Sequence, residues 1–299
     1  MSSRSFKYFG SESGLARYPF IDEINRMLDT KVFSASIREA SYVLDAHVGN
    51  IGNLNRIHST DTHGYTDAVF GSSFLMGIEF APRIKNIEKL GLYGTRTAAY
   101  YKKKGYKIRP SSNIKWSKIE SHWVEILRFV ITIRSGKASA SQLFKRLNSY
   151  SKSPLYDAIK EFGKVIRTMF VLRYIDELEY RKRIQKQLNL GEQANSFFKA
   201  VFWARGHRLR VNRPGDEERY LLSAQLLQNC VILWNYLYVT KAIINMTNLE
   251  DRETLLMQLK RGQMLTWKHI NFSGEFDFRK YMVQNFEFNK DELEAFQVS

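Results

Sequence analysis

Two carboxylates in this 299-residue chain, Asp61 and Glu192, stand where chemistry can be done. Asp61 lies in Asn55 to Asp67 (NRIHSTDTHGYTD), which reads as the end of a strand, a turn containing Gly64, and a helix starting near Thr66 and Asp67. A carboxylate at a strand tip in an α/β layer can hold a metal ion. Glu192, in LNLGEQAN, follows Gly191 and precedes Ala194, Phe197, Phe198 and Val201 at helical spacing. That pattern predicts a helix whose first turn carries the glutamate, where the dipole favours negative charge. Each setting also has a plain structural explanation. Asp and Thr before a helix cap its orphan N–H groups, and a glutamate is an ordinary first-turn residue.

The elements that must position these residues follow from periodicity. Strands are expected around Tyr18 to Asn25 and Lys31 to Ser36, separated by a turn at Leu28-Asp29-Thr30, with a helix over Ile37 to Val48. After the strand ending at Asp61 come a helix over Ala68 to Met76 and the strand-like Ile78-Glu79-Phe80. From about Lys115 the pattern is helical: Lys118 to Ile133, Ser139 to Asn148, Leu155 to Tyr174, Glu177 to Leu188, Glu192 to Ala204, Glu217 to Asn245, and Arg252 to Lys260. Strands early and helices late predict a mixed α/β (α+β) fold with a helical insertion and a helical C-terminus. The expected division is 1–90 for the sheet part, 91–187 for a basic loop and helical insertion, and 188–299 for the helical part carrying Glu192.

Composition narrows the partner. Forty-six Lys and Arg against 30 Asp and Glu give a formal charge of +16, which favours nucleic acid, with an anionic membrane surface as the weaker candidate. Two basic stretches carry aromatics or glycine: Gly91 to Asn113, read as a surface loop or hairpin, and Arg205 to Pro214. In the first, Lys102, Lys103 and Lys104 follow Tyr100 and Tyr101; in the second stand Arg205, Arg208 and Arg210. The cations would position DNA through its phosphates, and tyrosine could stack on an unpaired base. Tyr180 to Lys186 (YRKRIQK) reads as a charged exposed helix face.

Other chemistries find little footing. Cys230 is the only cysteine, within LLQNCVILW, and is expected as a buried free thiol. The six histidines have no His-Glu-x-x-His spacing, although His63 is close enough to Asp61 to touch a phosphate. There is no Gly-rich loop ending in Lys-Ser or Lys-Thr, which argues against a nucleoside triphosphatase. Leu221 to Val239 is interrupted by Gln225, Gln228, Asn229 and Asn235 and is expected as a helix buried in protein, not in a membrane. The N-terminus lacks an apolar signal region. Trp123, Trp234 and Trp267 are expected in the core.

Several ordered segments carry a family resemblance. TDTHGYTD (Thr60 to Asp67) with FLMGIEFAPRI (Phe74 to Ile84) resembles the catalytic domain of the Tn-three family of replicative transposases. So do His122 to Tyr150, Leu188 to Trp203, Glu218 to Asn235 and Met264 to Phe278, in the family's order and at about its spacing. The resemblance implies a ribonuclease-H-like domain and DDE chemistry, in which three carboxylates bind two Mg2+ ions for nicking transposon ends and joining them to target DNA. On that pattern Asp61 matches the second Asp, Glu192 the terminal Glu, and both are metal ligands. Asp67 matches an adjoining Asp with a supporting role.

One departure matters for mechanism. The family's first catalytic Asp lies on the first strand within an Asp-Gly-Gln segment, and no Asp-Gly-Gln occurs in these 299 residues. Asp22 falls where the family has its second strand, which makes it a poor substitute for that Asp. The resemblance therefore implies a domain lacking its first strand and inactive alone, with DNA and either a full-length transposase or an N-terminal part as partners. A non-catalytic DNA-binding or assembly module and a decayed remnant are the alternatives. A bacterial, cytoplasmic, nucleoid-associated protein is implied by the same resemblance.

Overall fold

The structure, a computed structural model, describes residues 3–4, 13–21, 27–34, 44–45, 48, 57–60, 65–149, 153–202, 216–261, 266–271 and 274. Within these, helices dominate and the strands are few and mostly short, a helix-rich mixed α/β chain. By compactness the chain divides into Met1–Tyr18 with Lys31–Asn189, and Pro19–Thr30 with Leu190–Ser299.

Strands β1 (Ser3–Arg4), β2 (Ser13–Ile21) and β3 (Met27–Ser34) form a sheet in that order, with β1 antiparallel to β2. Both long strands lie closer to the N-terminus than expected. Leu28-Asp29-Thr30, expected as a turn, is part of β3. Register is decided by cross-strand pairing, which a single segment's composition does not display. Leu44, Asp45 and Val48 are helical, in keeping with the helix expected over Ile37 to Val48.

The core of the first unit is a strand–helix–strand unit. β4 (Ile57–His58) pairs in parallel with β5 (Glu79–Phe80), and α1 (Asp67–Leu75) connects them. Thr66 caps α1: its backbone is extended and its Oγ1 accepts from the Val69 N–H at 3.3 Å. Six of its nine residues, Ala68 through Ser73, are buried, so the helix is enclosed on nearly every side and has no polar face. Gly77, at φ 80°, then turns the chain into β5.

α1 packs against the longest helix of this unit, α6 (Pro154–Asp176). Ser153 caps α6 by accepting from Tyr156 N–H, and Pro154 occupies its first turn, where the missing N–H is no loss. The two helices approach at glycines. A Cβ on Gly163 would lie 1.7 Å from the Asp67 carbonyl oxygen, and one on Gly71 would lie 3.0 Å from the Phe162 ring. Bare backbone at Gly163 is what lets α6 seat on the start of α1.

Between β5 and α6 lie β6 (Tyr93–Gly94), α2 (Ala98–Lys103), β7 (Ser112–Asn113), α3 (Trp116–Ser121), α4 (Trp123–Arg134) and α5 (Ala140–Ser149). Gly91 to Asn113, expected as a loop or hairpin, instead forms a small parallel pair: Tyr93 opposes Ser112 and Gly94 opposes Asn113, with α2 as the crossover. Parallel neighbours cannot be joined by a tight turn, and the intervening residues are enough for a helical turn and a half. The helix expected over Lys118 to Ile133 is broken at His122, whose backbone (φ −121°, ψ 18°) ends α3 and starts α4. Asp45 accepts from the Ala140 N–H and, at 3.2 Å, from Ser141 N–H, tying the helical turn at Leu44 to the start of α5.

Two clusters fill this unit. Leu44, Ile126, Phe129, Ile133, Phe144 and Ile159 form one; Phe70, Phe80, Ile84, Phe170, Tyr180 and Ile184 form the other. Phe70 sits edge-on to Phe80 at 5.1 Å and 5.4 Å from Phe170, so the β4–α1–β5 unit is anchored by aromatics to α6.

α7 (Leu178–Val201), α8 (Asp216–Ile244) and α9 (Leu249–Arg261) complete the order. In the second unit Ala194, Phe197, Val231 and Ile232 form a cluster, with Trp267 edge-on to Phe197 at 5.3 Å. α8 is not enclosed as expected. Leu221, Ala224, Gln228, Val231 and Ile232 are buried, while Leu222, Leu226, Leu233 and Trp234 face outward and Cys230 is exposed. Trp123 is likewise exposed, so of the three tryptophans expected inside only Trp267 is half-buried against a core ring. Apolar content on every face hid the direction in which α8 packs. Among the described residues no helix is long and apolar enough to cross a membrane.

Candidate functional site

The candidate site begins at the end of β4. Beyond the paired residues, Ala81 N–H donates to His58 O and Arg83 N–H to Thr60 O, both at 2.8 Å, so the parallel ladder runs to Thr60. Thr60 is buried. Asp61 is the next residue in the sequence after this ladder, whose C-terminal end is the end where open α/β sheets bind ligands. Asp61 itself, and His63 beside it, lie outside the described residues, as do Asp22, Arg205, Arg208 and Arg210.

Asp67 is described and is already engaged. Its Oδ1 is 2.7 Å from Arg167 Nη1 on α6, and both side chains are largely shielded from water. Burial raises the Asp67 pKa above the ordinary carboxylate value, and the positive charge of Arg167 only partly offsets this. Arg167 also lies over the Tyr93 ring at 4.8 Å and donates to Gly91 O at 3.3 Å. Lys164 stands over the same ring at 5.0 Å and pairs at 2.6 Å with Glu161, which is buried and accepts from the Lys115 N–H at 3.1 Å. Tyr93 N–H donates to Thr168 Oγ1 at 3.1 Å. Tyr65, just before the helix, has its hydroxyl pKa pushed up chiefly by burial, with Arg167 acting against this. One stripe of α6 thus holds the start of α1, strand β6 and the start of α3 together. An oxygen bound to a guanidinium in a dry setting is poorly placed to ligate a cation, which suits a supporting role for Asp67.

Sequence reasoning missed Glu161, Lys164 and Arg167. The signal was present: positions 157, 160, 161, 164, 167 and 168 recur at helical spacing as a polar stripe.

Glu192 is exposed, and the structure corrects its expected setting. It is not in the first turn of a helix but inside α7, two turns or more from either end. The helix dipole therefore does not stabilise its charge there. Gly191 suggests a helix boundary, yet a Cβ there would meet nothing, and the buried series Tyr180, Ile184, Leu190, Ala194, Phe197 runs past it without interruption. Burial of that series outweighs the roughly 1 kcal/mol that glycine costs a helix. Among the described residues no group of three or more His, Cys, Asp or Glu could hold a metal ion. Asp61 and Glu192 would offer hard oxygen ligands of the kind Mg2+ takes.

A second feature is an open cleft of about 540 Å3 lined mainly by apolar side chains, among them Phe74, Phe80, Ile166, Met169 and Phe170. Its acidic lining residue, Glu79, accepts from Arg173 and from the Tyr180 hydroxyl, both at 2.6 Å. Burial, then that hydrogen bond, push the Tyr180 hydroxyl far above its ordinary range. These groups hold α7 to β5 and show no reactive arrangement.

The basic surface is clearest around α2. From Lys89 through Lys118 there are nine Lys or Arg residues and no Asp or Glu. Lys102, Lys103 and Lys104 are exposed at the end of α2, with Lys107 and Arg109 exposed just beyond.

The family described as the Tn3 transposase DDE domain matches residues 1–276. The transposase for transposon Tn3926 of Escherichia coli is 36% identical over 279 residues, covering 91% of this chain and 27% of that protein. The transposase for transposon Tn501 of Pseudomonas aeruginosa is 33% identical over 278 residues (91% and 27%), and that for Tn1546 of Enterococcus faecium 32% over 279 (92% and 28%). The chain spans a little over a quarter of the length of these relatives.

Proposed function

Because the chain belongs to the Tn3 transposase DDE domain family, we propose that it serves DNA transposition as part of a catalytic domain that acts on transposon ends and target DNA. The observation that carries this reading is the match over residues 1–276. The parallel ladder leading to Asp61 and the acid-free basic stretch around α2 support it. The finer reading is a ribonuclease-H-like fold in which Asp61 and Glu192 are the catalytic carboxylates and ligands for Mg2+, with Asp67 holding the start of α1 through Arg167. Such an ion polarises the scissile phosphate and stabilises the leaving oxygen. The chain's own contribution is positional: β4 and its ladder fix the strand end before Asp61, and α6 fixes the helix after it. Lys102, Lys103, Lys104, Arg205, Arg208 and Arg210 hold DNA phosphates. DNA in the bacterial cytoplasm and nucleoid, and the further portions that the relatives carry, are the proposed partners.

The basic stretches are expected to give the purified polypeptide a salt-dependent affinity for DNA. The test is binding of the purified chain to labelled duplex across salt concentrations. Affinity falls roughly as a power of salt, and changing Lys102, Lys103 and Lys104 together to Gln reduces the log–log slope by about 1 for each phosphate no longer neutralised. Affinity that is the same at low and physiological salt contradicts the proposal.

A further inference from the structure

The α2 segment presents two tyrosines in a way that its sequence does not reveal. Of its three rings, Tyr101 is fixed. Its hydroxyl lies 3.3 Å from both the Thr95 N–H and Thr95 Oγ1, and its ring packs so close to Gly94 that a Cβ there would be 2.9 Å away. Tyr100 and Tyr106 flank this fixed ring edge-on, at 5.5 and 6.0 Å, and are 44% and 58% exposed.

The support beneath them is rigid. Ser111 N–H donates to Leu92 O and Ile114 N–H to Gly94 O, both at 2.9 Å. Tyr106 N–H donates to Tyr101 O at 3.2 Å, and Arg109 Nε to Tyr106 O at 3.1 Å. Thr168 and Arg167 hold β6 to α6. Around the two rings stand Arg96, Lys102, Lys103, Lys104 and Lys107, all exposed, in a stretch without a carboxylate.

We propose that Tyr100 and Tyr106 form a stacking platform for unpaired nucleotides of single-stranded DNA, whose phosphates are held by the surrounding lysines. This rests on the DNA-transposition reading and deepens it. A paired duplex offers phosphates but keeps its base faces stacked; an unpaired strand offers both, and every base has a face to stack. Cations alone would account for duplex binding. Two exposed rings braced by a third among those cations match the composition of a single-strand groove. Because both rings rest edge-on against the fixed Tyr101 ring, less conformational freedom is lost on binding than for unsupported side chains.

The experiment uses the full 299-residue chain and fluorescence anisotropy with a labelled oligothymidylate and a labelled duplex of equal length at low salt. Tyr100→Leu with Tyr106→Leu weakens oligothymidylate binding tenfold or more, on the order expected for stacked bases, and leaves duplex affinity within about twofold. Tyr100→Phe with Tyr106→Phe binds both like the parent, since the ring and not the hydroxyl acts. Thermal unfolding at the parent's temperature shows that both variants remain folded. Oligothymidylate binding unchanged in the leucine variant, or single strand and duplex lost to equal extents, overturns the platform while the transposition reading stands. A parent chain that binds neither DNA overturns both.

Discussion

Asp61→Ala and Glu192→Ala each abolish transposition by a hybrid in which this chain replaces the matching part of a relative such as the Tn3926 transposase. The replaced segment is 27% of that protein, so the hybrid carries the portions not represented in these 299 residues. Loss of a metal ligand removes several kcal/mol of stabilisation from a transition state whose charge is spread over phosphate oxygens. Each 1.36 kcal/mol is tenfold in rate, so the expected loss is about a thousandfold or more. Asp67→Asn is the informative contrast. It keeps the size of the side chain but deprives Arg167 of its counter-charge, so it acts first on stability and only through that on transposition. A hybrid that transposes equally well with alanine at Asp61 or Glu192 removes those residues from the catalytic reading.

Gly163→Val unfolds or severely loosens the first unit. The ideal Cβ lies 1.7 Å from the Asp67 carbonyl oxygen, and that atom belongs to backbone, which cannot swing aside as a flexible side chain would. Either α6 moves off α1 or the start of α1 unwinds. In the first case the packing of Phe70 on Phe170 is lost, and in the second the Thr66 cap and the Asp67–Arg167 pair. Overpacking a tight interface costs about 1–3 kcal/mol and occasionally more, and this position sits at the upper end because no soft neighbour can yield. A thermal melt should fall by on the order of 10 °C, at a few degrees per kcal/mol for a unit of this size. Gly77→Ala makes the comparison, since its penalty comes from φ 80° and not from a clash: nothing lies within 4 Å of a Cβ there. A Gly163→Val protein with the parent's melting temperature contradicts the close approach of α1 and α6.

Much of this is legible in the sequence because the features are local. Thr66 and Asp67 at a helix start, the strand-like Ile78-Glu79-Phe80, and most helices from Trp116 onward declare themselves by caps and periodicity. The ordered family segments, from TDTHGYTD onward, are likewise readable one after another. What escapes depends on distant partners. Leu28-Asp29-Thr30 looks like a turn until β3 is seen to pair, and Gly91 to Asn113 looks like a loop until Tyr93 and Ser112 are found side by side. Gly191 looks like a helix boundary because glycine is costly in helices; the buried residues on both sides of it decide otherwise. The pairing of Asp67 with Arg167 spans a hundred residues, and no spacing rule reaches that far.

The assignment of Asp61 and Glu192 as ligands for one class of ion is open to direct measurement. Mn2+ replaces Mg2+ as a paramagnetic probe, and its bound fraction is read by electron paramagnetic resonance in the full chain without DNA. The parent chain binds Mn2+ saturably, and Mg2+ competes. Asp61→Ala and Glu192→Ala each weaken binding by at least about tenfold, the lower end of what even outer-shell losses cost a metal site, while Asp67→Asn leaves it nearly unchanged. Mn2+ affinity that is the same in the parent, Asp61→Ala and Glu192→Ala proteins would contradict the account.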